Sequence, residues 1–176
     1  MNRALALALV VSALAGGASA WSQSFWASLG SRAGPTQPIQ FSHQIHADSL
    51  GMNCLYCHYS ADKSPIANLP PVSTCMGCHK LARADRPEIM KLTGYFDRGE
   101  QVPWVEVYKL PAHVKFNHKR HVRAGVQCEE CHGKVQEMKV VYPYSSLKMG
   151  WCLSCHRQRL DDPNFPTTMD CVACHH

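Results

Sequence analysis

The longest apolar stretch of this chain lies at its start. Arg3 precedes a run from Ala4 to about Ala15, and the small residues Ala18, Ser19 and Ala20 follow it. That order describes a cleavable secretory signal. The same residues, extended to Trp21 with Trp26 at an outer interface, just reach the length of a membrane anchor. Residues 1–29 are therefore expected to export the chain or tether it, and either way all that follows is exported. Residues 30–38 (GSRAGPTQP) read as a linker and residues 39–176 as the structured domain.

Within that domain two segments show a period. Pro87 suits a first helical position, Glu88 supports it, and Ile89, Leu92 and Phe96 fall on one helical face, with Gly94 expected to fray the end. Val105 and Val107, with Trp104, alternate between Pro103 and Pro111 and predict a short strand. The rest reads as loops and short helices, one of them preceded by Pro70 and Pro71 and capped by Ser73 or Thr74. The expected fold is mostly irregular and helical, with at most a short strand pair.

A domain so poor in apolar runs needs another source of cohesion, and the cysteines indicate one. All ten lie in five copies of C-x-x-C-H: Cys54–Cys57–His58, Cys75–Cys78–His79, Cys128–Cys131–His132, Cys152–Cys155–His156 and Cys171–Cys174–His175. Two of the gaps between pairs suit a zinc ribbon. An odd number of pairs leaves one without a partner, however, a four-thiolate site does not require a histidine after each second cysteine, and zinc ribbons are uncommon in exported chains. A redox dithiol needs one pair near a β-α-β pattern, not five. Covalent c-type haem accounts for every cysteine, because two thiols add to the two vinyl groups of one haem and the next residue places its imidazole on the iron. Five haems c are expected, with His58, His79, His132, His156 and His175 as proximal ligands.

The remaining histidines contain a repeat. "FSHQIH" at 41–46 matches "FNHKRH" at 116–121, and each precedes two haem motifs, giving units of about 41–79 and 116–156 with a terminal site at 171–175. Residues i and i+3 of a helical turn lie on one side but cannot both reach one iron there. His43, His46, His118 and His121 are thus expected to serve four different irons from the distal side, with Phe41 and Phe116 packed on macrocycles. The fifth distal donor is open among Met149, His176 and His113. The thioether of Met149 is favoured and would raise the potential of its haem.

The net charge of +5 is spread among acidic residues, as in "LARADRPE", and gives no nucleic-acid stripe. No phosphate loop or Ser/His/Asp order appears. Enough distal donors exist to saturate five irons, which favours an electron-transfer protein over a multihaem reductase, since a reductase needs an open iron. A stand-alone periplasmic or filament-forming cytochrome shares the same chemistry and stays open.

The pattern F-x-H-x-x-H before C-x-x-C-H resembles the class III multihaem cytochromes c. "PIQFSHQIHADSLGMNCLYCH", "PPVSTCMGCHK", "VPWVEVYKLPAHVKFNHKRHV", "CEECHG" and "YPYSSLKMGWCLSCHR" together resemble the pentahaem subunit of alternative complex III. That resemblance implies a non-enzymatic electron carrier on the periplasmic face of the cytoplasmic membrane, held by an N-terminal anchor or by its partners. An iron–sulfur subunit beside membrane subunits would feed it from quinol, and a periplasmic cytochrome c or an oxidase would accept the electrons. It further implies His43, His46, His118 and His121 as distal ligands and Met149 as the methionine donor.

Overall fold

The computed structural model of the chain describes residues 34–165 and 167–176, so the signal or anchor expected over residues 1–29 lies outside them. A π-helical turn, Gln44–Ser49, comes first, followed by helices α1 (Cys54–Cys57), α2 (Val72–His79), α3 (Pro87–Asp97), α4 (His118–Arg123), α5 (Cys128–His132) and α6 (Met149–Gln158). Short 3₁₀ turns occupy Val135–Glu137 and Cys171–Ala173. No strand occurs among the described residues, and none of their helices is long and apolar enough to cross a membrane.

The C-x-x-C-H helices start in two ways. Three open at the first cysteine, with a polar residue directly before it. Asn53 accepts from Leu55 N–H at 2.8 Å, Asp170 accepts from Val172 N–H at 3.2 Å, and Gln127 N–H donates to Glu130 Oε1 at 3.3 Å. The other two start at Val72 and Met149, three residues ahead of Cys75 and Cys152. These are the second site of each repeat unit, so the repeat extends to where the helices begin. The expected cap at Ser73 or Thr74 does not occur: Pro71 occupies the cap position and both residues lie inside α2.

Helix α3 begins as expected, with Pro87 first and Glu88 in its opening turn, but it continues through Gly94 to Asp97. Its apolar face buries Leu92 against Ile39, Val72, Met76 and Val102, with Tyr95, Phe96 and Trp104 at the margin. This cluster is the principal core. Ala61 and Met138 are the other buried apolar residues described, and no large side chain is completely enclosed.

The expected strand at Val105 and Val107 does not form. A strand requires a partner backbone, and here a side chain takes that place. The amide of Gln37 accepts from Val105 N–H at 2.8 Å and donates to Val105 C=O at 2.9 Å. Gln37 belongs to the tract expected to be a linker, so that tract is engaged with the fold by this point.

Candidate haem centres

The two F-x-H-x-x-H segments adopt the same side-chain geometry although one is a π-helical turn and the other α-helical. Phe41 meets His43 edge-on at 4.8 Å and 88° and stacks on His46 at 4.5 Å and 25°. Phe116 meets His118 at 4.8 Å and 90° and stacks on His121 at 4.4 Å and 27°. Each phenylalanine therefore packs on its own two imidazoles and sets their planes apart.

The histidines meet in pairs drawn from distant parts of the chain. His46 lies 6.1 Å from His79, His118 lies 6.4 Å from His132, and His121 lies 6.2 Å from His156, centroid to centroid. His113 faces His175 at 5.6 Å and 24°. In each pair one member belongs to a C-x-x-C-H motif and the other does not. Two imidazoles on opposite sides of one iron, each with a metal–nitrogen bond of about 2 Å, place their centroids about 6 Å apart. The fifth motif histidine, His58, neighbours His43. Burial first, then His58 and His46, bring His43 down to about 4, which keeps its ring neutral and able to donate to a metal. Burial likewise lowers His121 and His132.

Backbone carbonyls fix how these rings are presented. A carbonyl only accepts, so an Nδ1 bonded to one carries the proton and leaves Nε2 as the metal-binding nitrogen. Among the motif histidines, His58 Nδ1–H donates to Asn68 O at 3.0 Å, His79 to Ala82 O at 2.9 Å, His156 to Thr168 O at 2.7 Å and His175 to His113 O at 3.0 Å. Among the others, His46 donates to Ser42 O at 2.9 Å, His118 to Pro65 O at 3.0 Å and His121 to Asn117 O at 2.8 Å. His132 is held through Tyr108, whose ring meets it edge-on at 4.6 Å. Gly133, at φ +68°, lets the chain pass close to the Tyr144 ring, from which a Cβ there would lie 2.6 Å away.

Electrostatic neighbours link the sulfurs of successive sites. Burial and then Cys54 raise the thiol of Cys57. Burial and then Cys57 raise Cys75, and burial and then Cys54 raise Cys128. Burial, Glu130, and Cys155 and Cys152 push Cys131 up to about 11, while burial and then Cys174 raise Cys152. The neighbours run from the Cys75 site through the Cys54, Cys128 and Cys152 sites to the Cys171 site. These surroundings favour the neutral form of each sulfur.

These residues fit a haem on three further observations. Each pair supplies two facing imidazoles, and no group of three or more metal-binding side chains exists among the described residues, so the remaining donors must come with the ligand. Apolar side chains beside the motifs, including Leu55, Tyr56 and Leu81, face outward with nothing packed over them. Arg159, whose Nη2 donates to Glu130 Oε2 at 2.8 Å and whose guanidinium lies 4.4 Å over Phe165, has its Nη1 buried without a partner among the described residues. A propionate would supply one.

Met149 is exposed, at the first position of α6. His176 donates from Nδ1 to Val172 O at 3.1 Å, in the manner of His46 and His121, but no motif ring is found opposite it. His113 is therefore the open candidate that the fold brings to a motif histidine. The orienting carbonyls of Asn68, Ala82, Thr168 and Pro65 leave no signal in residue type, and Arg159 is one basic residue among many.

Residues 114–176, which hold three of the five motifs, match the family model described as cytochrome c7 and related cytochrome c. Over those residues the chain is similar to small multihaem cytochromes c, and its described fold is helical and irregular, as such a protein requires. The chain is also 30% identical over 132 residues to the multiheme cytochrome c subunit of menaquinone reductase from Nitratidesulfovibrio vulgaris (strain Hildenborough), covering 74% of this chain and 56% of that protein. It thus spans a little over half the length of this curated relative.

Proposed function

We propose that this chain holds five haems c, each between two imidazoles, and relays single electrons within a quinone-linked membrane complex. The observation that carries this reading is the set of four facing pairs at 5.6–6.4 Å, each joining one motif histidine to one histidine from elsewhere. His43 with His58, His46 with His79, His118 with His132, His121 with His156 and His113 with His175 are the proposed axial sets. Met149 is then a packing residue. Haem supplies a one-electron ferric/ferrous couple; the protein supplies both axial nitrogens, their orientation through backbone carbonyls, and a fixed succession of sites. With an imidazole on either side, each iron would have no open position for substrate, which would make the chain a carrier and leave any enzymatic activity to the assembly.

The row of thiols supports the order Cys75, Cys54, Cys128, Cys152, Cys171. The partners we infer are iron–sulfur and membrane subunits at one end and a periplasmic cytochrome c or an oxidase at the other, with the chain on the periplasmic side as in alternative complex III. The name of the relative, a menaquinone reductase, favours a second reading in which electrons travel the same row towards quinone. Purified from membranes, the chain should bring iron–sulfur subunits with it, contain five irons and no zinc, and keep its haem through acid–acetone extraction. Zinc in stoichiometric amount or extractable haem overturns the reading. Whether added quinol reduces the haems, or reduced haems lose electrons to added quinone, decides the direction.

A further inference from the structure

The Nδ1 hydrogen bonds divide the five sites unevenly. At the Cys75 site both imidazoles are bonded, His79 to Ala82 O and His46 to Ser42 O, each at 2.9 Å. At the Cys152 site both are bonded again, His156 to Thr168 O at 2.7 Å and His121 to Asn117 O at 2.8 Å. Among the described residues, the other three sites have one such bond each, at His58, His118 and His175. The division follows the repeat. The doubly bonded sites are the second of each unit, and their distal ring is the second histidine of F-x-H-x-x-H, stacked on the phenylalanine and bonded to the carbonyl just ahead of the first histidine.

An Nδ1–H···O=C bond shifts electron density onto Nε2 and makes it a better donor to ferric iron. Two such bonds favour the ferric state more than one. At the Cys75 site one of them depends on backbone shape. Ala82 O belongs to the peptide that enters Arg83, and Arg83 stands at φ +53°, a region uncommon for a non-glycine residue. The carbonyl that meets His79 thus lies in the peptide directly ahead of this turn, and a residue at 83 that changes the turn also changes the conformations open to Ala82.

We propose that the Cys75 and Cys152 sites are the two low-potential members of the row, and that Arg83 is a positioning residue that sets the first of them through its backbone. The proposal rests on the five bis-imidazole sites proposed above. It is tested on the full haem-loaded chain by spectroelectrochemical titration, with spin state followed by electron paramagnetic resonance. The native protein should resolve two components below three. Arg83→Pro forces φ to about −65° and should move one component from the lower group to the upper. At fixed solution potential its ferrous-to-ferric ratio should rise about tenfold, about 59 mV for a one-electron couple. Arg83→Gly accepts a positive φ and should leave the grouping intact.

Thr167→Val probes the second site independently. The Thr167 hydroxyl donates to His156 O at 3.2 Å and holds the next residue's carbonyl in place, so the other low component should rise. Five low-spin haems without a two-and-three grouping overturn this inference alone, as does a grouping that Arg83→Pro and Thr167→Val both leave unmoved, or one that Arg83→Gly shifts as far as Arg83→Pro. High-spin iron in the native protein instead overturns the bis-imidazole reading beneath it.

Discussion

His113 meets the Cys171 site twice: its carbonyl accepts from His175 Nδ1 and its ring lies 5.6 Å from the same imidazole. Backbone and side chain of one residue thus approach one partner, which makes the site sensitive to its identity. His113→Ala should convert one of the five haems to high spin, visible by electron paramagnetic resonance, while the carbonyl contact is retained. Met149→Ala should leave all five low-spin and remove no near-infrared sulfur-to-iron band, since none should be present. Such a band in the native protein would restore Met149 as a donor. The resemblance and the tight turn before Cys152 favour Met149, whereas the described fold brings the ring of His113 to that of His175. The repeat held a clue: three residues before Cys75, the position matching Met149 is Val72, a core residue. The repeat that holds His43, His46, His118 and His121 is legible because its spacing is local and occurs twice, and the described fold gives both copies one ring geometry. The packing of Phe41 and Phe116 on imidazoles is not legible, because residue type does not tell which flat surface a ring will meet.

Among the elements, α3 and the connector after it bear the chain's own apolar packing. Leu92→Ala removes the centre of that cluster and should destabilise the protein by about 2–5 kcal/mol in denaturant titration, with all five haems still attached. A loss below about 1 kcal/mol would mean that α3 contributes little to the fold. Removing the cap at Asn53 with Asn53→Ala should cost about 1 kcal/mol. Helix α3 could be read from its start because Pro87 and Glu88 act within one turn. Its end could not, because burial of Leu92 and the margin formed by Tyr95 and Phe96 outweigh the local cost of Gly94. The strand failed as a prediction for a related reason: alternation at Val105 and Val107 describes a suitable surface, but only the fold decides whether a backbone or the Gln37 amide pairs with it.

On the scale of the molecule, residues 34–176 form one compact unit, and the proposed succession of haem sites runs through it as a row. The row makes the sites unequal in consequence. Replacing Cys128 and Cys131 by alanine removes a middle member, and electrons placed on one side by flash photoreduction should then equilibrate with the other side at least about tenfold more slowly. Replacing Cys171 and Cys174 removes an end, and equilibration among the remaining four should keep its native rate. Equal effects from both changes would refute the order. The proposed succession was not legible from the sequence, since chain order runs Cys54 before Cys75 whereas Cys57 acts on Cys75 and Cys54 on Cys128.

The buried apolar residues of the described chain are few, and much of its apolar surface beside the motifs lies bare. If the haems cover that surface, most of the interior is made of groups tied to the backbone by thioether bonds. Heating then disperses this interior without releasing it. Each piece stays a few residues from its place, at a local concentration set by the chain itself. Recovery after melting should therefore be unimolecular and independent of any free pigment, so that a protein with little interior of its own still carries that interior through unfolding and back.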